Sequence, residues 1–139
     1  MDINITTTLS VSVIYVAILG LVFVPMTIYV GIYRVKHQID IGDAGDKAML
    51  RRIRGQANFI EQVPLAVVLL VCMELMGASN ALLHGLGITL VLARISHYLG
   101  LTRIGPFLAR PAGMVGTFAV YIISAVWILM SVLTYTPFE

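Results

Sequence analysis

The chain has 139 residues, 59% of them hydrophobic and 12% charged, with a formal net charge of +2. Soluble domains are nearer half apolar and a quarter charged, so this balance belongs to the membrane class and to one domain over residues 1–139. The nine Lys and Arg residues are too dispersed for a nucleic-acid surface, and a single cysteine, Cys72, excludes an intrachain disulfide or a cysteine-based metal centre; no metal site is expected.

Residues 3–33 carry no charge, and residues 9–33 suit a first membrane span, which needs about 20 residues. The segment is too long for a cleavable leader, and no A-x-A-like site precedes polar sequence. Pro25 should kink this helix modestly, and Tyr29 and Tyr33 resemble an interfacial belt. Residues 34–50 are polar, contain Gly42 and Gly45, and read as a loop. Asp40, Asp43 and Asp46 lack the spacing and terminal glutamate of a calcium loop, so they read as solvated turn carboxylates.

The second span, about residues 52–76, is the informative one. Only 12 uncharged residues lie between Glu61 and Glu74, too few to cross a bilayer. The helix must therefore recruit preceding turns, which draws Arg54, Asn58 and Glu61 to the headgroup level. At about 100° per residue, Arg51, Arg54, Asn58, Glu61, Gln62 and Leu65 fall within about 100° of arc, and Gln56 points away. Pro64 lies inside this helix, and Cys72, in its apolar run, reads as a packed core thiol. A turn at residues 77–80 leads to a third span, about residues 81–101, where Ala81, Gly85, Thr89 and Ala93 form a ladder of small residues that lets another backbone approach. Arg94, His97 and Tyr98 share a face at its far end, while His84 is interfacial near its start. Gly105 and Pro106 break the chain, Pro111 suits the first turn of a fourth span over about residues 111–134, and Ala112 with Gly116 is another close-packing candidate. Trp127 and Tyr135 fall towards its far half.

Four spans put both termini on one side and all nine basic residues on the other: Arg34, Lys36, Lys47, Arg51, Arg52, Arg54, Arg94, Arg103 and Arg110. The terminus side carries Asp2, Glu74 and Glu139. The positive-inside rule then orients both basic loops to the cytoplasm and the termini outward. Within that basic end, an ionisable stripe entering a bilayer costs several kcal/mol unless it is paired. A clamp between Glu61 and Arg94 or His97 is one solution. The excess of arginine over acid points instead to an anionic guest, with carboxylates for the arginines, an amine for Glu61 and neutral hydrogen bonds to Asn58 and Gln62.

R-x-x-x-N-x-x-E-x-x-P, spelled by Arg54, Asn58, Glu61 and Pro64, resembles the second-helix signature of the MAPEG family of membrane glutathione enzymes. Ala93–Gly100, reading A-R-x-x-H-Y-x-G, resembles the third-helix motif, most like the bacterial branch. Chain length and the four-span plan also agree, so the resemblance covers nearly the whole chain. It implies an all-α four-helix bundle in a bacterial inner membrane, assembled as a homotrimer, with glutathione as co-substrate bound between subunits and open to the cytosol. Arg54, Asn58, Glu61, Arg94, His97 and Tyr98 would hold glutathione, with Arg34 reaching in from an adjacent chain. Arg110, sixteen residues after Arg94, has the spacing of the thiolate-stabilising arginine, and Arg103 is the alternative. A cation beside a thiol, whose free pKa is about 8.5, raises its nucleophilic fraction.

The implied activity is glutathione transfer to lipophilic electrophiles, or reduction of hydroperoxides, in detoxification, with the second substrate arriving from the lipid. The sequence departs from the pattern at Leu101 and Met114, where several members carry tyrosines. That leaves a non-catalytic lipid- or partner-binding membrane protein as the competing reading. A small multidrug transporter would need an acid in the first span, and residues 3–33 have none.

Overall fold

In the computed structural model of the protein, which describes residues 9–134, four helices are each long and apolar enough to cross a membrane. They are α1 (Ser12–His37), α2 (Lys47–Leu75), α3 (Asn80–Leu101) and α4 (Ala109–Thr134), and no strand occurs among the described residues. The all-α four-helix bundle is thus as expected, although two helices are longer than the apolar runs that announce them. Asp2, Tyr135 and Glu139 lie outside the described residues.

The helices run up and down, α3 against α4 most closely, with α1 laid across α2 and α3. In the main core cluster Tyr15, Leu19 and Met26 of α1 meet Phe59, Ala66 and Leu70 of α2, Leu83, Leu86 and Leu90 of α3 and Val120 of α4, and a smaller cluster of Val30, Ile39 and Met49 lies at the basic end. Small residues set the closest approaches. A Cβ on Gly113 would strike the Ala93 carbonyl and the His97 backbone, and one on Gly116 would sit 3.0 Å from the Ala93 Cβ. Of the two sets of small residues, Gly116 and Ala93 do pack closely, against each other, but Gly85 meets nothing within the described residues and Ala112 is exposed. Pro25 and Pro64 lie inside unbroken helices.

Polar side chains fix where the helices begin. Asp46 caps α2, its carboxylate accepting from the Ala48 amide at 2.6 Å and the Met49 amide at 3.1 Å. Reading Asp46 as a solvated turn residue missed this, and the cap starts α2 five residues before the expected boundary. Glu74, at the far end of α2, accepts from the Val11 and Ser12 amides, each at 2.7 Å, and so supplies the carboxylate that α1 lacks in its own first turn.

The C-terminal ends of α1, α2 and α3 share one motif. A paired set of backbone bonds closes each: Ile39 to Arg34 and Gln38 to Val35, Ala78 to Met73 and Gly77 to Glu74, and Ile104 to Leu99 and Arg103 to Gly100. The residue at the turn takes a left-handed conformation, with φ of 55° at Gln38, 84° at Gly77 and 60° at Arg103. Glycine is the low-cost occupant there, and a side chain costs about 1 kcal/mol. Only the turn farthest from the arginines uses it.

Candidate functional site: an arginine-lined cavity at one end of the bundle

The up-and-down path brings the end of α1, the start of α2, the end of α3 and the start of α4 to one end of the bundle, and every basic residue gathers there. At about 1.5 Å per residue, the 29-residue α2 is roughly 43 Å long against a hydrocarbon core of about 30 Å. Its first turns, with Arg51, Arg52 and Arg54, therefore stand at or beyond the headgroups.

Arg94 is the centre of this region. Its side chain is 2% exposed and bridges three helices, donating from Nη1 to Asn58 Oδ1 and from Nη2 to the Gly113 carbonyl, each at 3.0 Å. Among the described residues its Nε has no partner and no acid lies in ion-pair range. The clamp from Glu61 to Arg94 or His97, the alternative to an anionic guest, is not formed. Glu61 instead stands 3.9 Å from Arg54, with the two side chains 50% and 58% exposed, a geometry that contributes at most about 1 kcal/mol.

On the other side of Asn58 lies a cavity of about 240 Å³ walled by Arg54, Asn58, His97, Leu101, Arg110 and Met114. His97 Nδ1 is 3.1 Å from the Arg110 carbonyl, which can only accept, so Nδ1 donates and Nε2 is left for a ligand. Asn58 spends its oxygen on Arg94, so its amide hydrogens are the free donors. Among the described residues no carboxylate lines the space. Leu101 and Met114 form its apolar wall.

Four of the expected site residues therefore converge: Arg54, Asn58, His97 and Arg110. Arg94 stands behind them and positions Asn58, and Glu61 stands at the rim. Two are elsewhere within the chain. Arg34 donates to the Gly42 carbonyl at 3.0 Å and lines a separate recess with Gln38 and Asp40. Tyr98 turns its ring onto Gly55, where a Cβ would come within 2.9 Å, and lines a groove between α1 and α3 with Met26 and Tyr29. Successive helical residues point about 100° apart, so His97 and Tyr98 reach different cavities from adjacent faces of α3.

Gln62 receives the Tyr121 hydroxyl on its backbone carbonyl and so joins α2 to α4, a partner the stripe did not announce. Gln56 points away from the stripe as expected, bonding Thr27 of α1 at 2.9 Å. Arg52 is held in detail: its guanidinium lies 3.9 Å from the Tyr33 ring and 4.7 Å from the Tyr29 ring and donates to the Ala48 carbonyl at 2.8 Å.

Fold and site together define a multi-pass membrane protein with a cationic, acid-poor cavity at one end of its spans. Comparison with known proteins places that description. The MAPEG family model matches residues 12–130, and the chain belongs to the MAPEG family, membrane proteins of glutathione and eicosanoid metabolism. Inner membrane protein YecN of Escherichia coli strain K12 is 30% identical over 129 residues, covering 93% of this chain and 95% of YecN. Its counterpart in Escherichia coli O6:H1 strain CFT073 has the same identity and coverage. No solved structure matches.

Proposed function

We propose that this protein is a glutathione transferase or peroxidase of the inner membrane, activating the glutathione thiol for attack on lipophilic electrophiles or hydroperoxides. The observation that carries this reading is the cavity in which Arg54, Asn58, His97 and Arg110 meet with no carboxylate among them, in a chain of the MAPEG family. Such a donor set fits the tripeptide. Arg54 suits a carboxylate, Asn58 donates to a peptide carbonyl, and Glu61 at the rim accepts an ammonium. Arg110 is the cation for the sulfur. Lowering a thiol pKa from about 8.5 by one unit raises its thiolate fraction at neutral pH severalfold. In conjugation the sulfur–carbon bond forms, and the displaced electron pair leaves with its group or takes a proton from water. With a hydroperoxide a sulfur–oxygen bond forms as the O–O bond breaks, the alkoxide takes a proton and leaves as the alcohol, and the thiol of a second glutathione condenses with the resulting sulfenic acid to give the disulfide and water. We place the basic loops in the cytoplasm and the assembly as a homotrimer, with sites between subunits.

Isothermal titration of detergent-purified protein with glutathione tests the reading; no heat of binding at millimolar glutathione overturns it. Arg110→Ala should lower turnover by about tenfold or more while glutathione affinity changes little, since Arg110 acts on the reacting sulfur. Equal losses in both would make Arg110 a binding residue alone.

Leu101 and Met114 favour a second reading, because no phenol lines the cavity to assist the thiolate. A non-catalytic MAPEG protein would bind glutathione with its thiol pKa unshifted, which ultraviolet titration of the bound thiolate reads directly.

A further inference from the structure

Beside the first cavity lies a second, of about 400 Å³, lined by Arg51 of α2, Arg103 of the α3–α4 turn and Arg110 of α4, with Leu101 and Phe107. It shares Leu101 and Arg110 with the first. Three arginines from three elements line one space; among the described residues no acid lines it, and the one ion pair, Arg54–Glu61, uses none of them. We propose that this cavity is a binding site for the phosphate headgroup of an anionic phospholipid.

Phosphate is the favoured anion because a single bidentate arginine satisfies a carboxylate, whereas three separate donors suit a group with more acceptor oxygens. A lipid is the favoured source because the same turn carries an apolar lip. Phe107 is 88% exposed, and Ile104 and Leu108 beside it are exposed too. These apolar side chains are exposed on the turn that joins two membrane spans, placed to meet the boundary between headgroups and acyl chains beside the arginines. The placement of Arg103 agrees: it occupies a left-handed turn position, φ 60°, at which glycine closes the matching turn of α2. Because Arg110 walls both cavities, a lipid phosphate there would draw on the cation proposed for the thiol. The site itself stands whether or not glutathione is the neighbouring guest.

Native mass spectrometry of the full chain in a non-ionic detergent tests this with dioleoyl phosphatidic acid against dioleoylglycerol, which differ in the phosphate alone. Phosphatidic acid should be retained about tenfold more, the scale of one or two charge-assisted hydrogen bonds. Arg103→Gly should cut that retention severalfold while glutathione affinity stays within about twofold and the unfolding midpoint is unchanged or raised, because glycine fits the turn better. Arg51→Gln should act in the same direction without touching the turn. Equal retention of the two lipids, or undiminished retention in both variants, overturns the site. Displacement of phosphatidic acid by equimolar inorganic phosphate overturns the lipid as its source. Failure of wild-type glutathione binding with lipid discrimination intact overturns the glutathione reading and supports this one.

Discussion

Arg94 brings one cation into the bundle without an anion to meet it. Removing a guanidinium from water costs several kcal/mol, and two neutral acceptors with an unpartnered Nε offset only part of that. Its acceptors do not depend on it either: the Gly113 carbonyl also receives the Thr117 hydroxyl at 2.9 Å, and Asn58 borders the cavity. Arg94→Met, which keeps the volume, should therefore leave the ligand-free unfolding midpoint in detergent unchanged or raise it, by an amount on the order of 1 kcal/mol. Glutathione affinity should fall about tenfold or more, because the Asn58 amide loses its orientation. A large loss of stability would mean that Arg94 is a structural bridge and that its charge has no functional meaning. At this scale the sequence was informative about residue types and less so about directions. The arginines, Asn58 and His97 were legible as a group from their spacing, but that Arg94 is sealed behind Asn58 while Tyr98 faces α1 depends on which helices surround α3. One strand of sequence does not carry that.

The spans themselves were legible because 20 apolar residues have few other uses, yet their ends were not, because polar caps set the ends and hydropathy is blind to them. Asp46 illustrates the point. Its carboxyl is held below the usual range, first by the Tyr33 hydroxyl at 2.8 Å and then by the amides it caps. A carboxyl lowered in the folded state stabilises fully above its unfolded pKa, and the contribution disappears as pH falls through the folded value. Wild type and Asp46→Ala should thus differ in unfolding midpoint at neutral pH, with the variant lower, and converge as pH drops through and below the ordinary carboxylate range, near 3.9 in model peptides. A gap that persists unchanged in strong acid would detach the cap from its charge. Glu74 was equally hidden. A lone acid at the end of a span suggests an interfacial residue, and only the return of α1 to that end makes it a cap for Val11 and Ser12.

For the whole molecule, the informative residue is the one that stands apart. Arg34 is occupied with its own helix end and lines a recess that shares no residue with the Arg54–Arg110 cavity. If it serves glutathione, as the family resemblance implies, it must do so in a neighbouring copy, and each site is then made by two chains. That gives the trimeric proposal a consequence that a monomeric site lacks. Arg34→Ala and Arg54→Ala homo-oligomers should each have low transferase activity. Co-expressed in equal amounts, they form mixed assemblies in which some interfaces join an intact Arg34 from one chain to an intact Arg54 from the next. With random assembly, roughly a quarter of interfaces are complete, so activity should recover to about that fraction of wild type. A site built within one chain has no such route, because every chain then carries one defect. Activity no greater than the mean of the two variants would return the whole site to the single chain and leave Arg34 as the cap of its own helix.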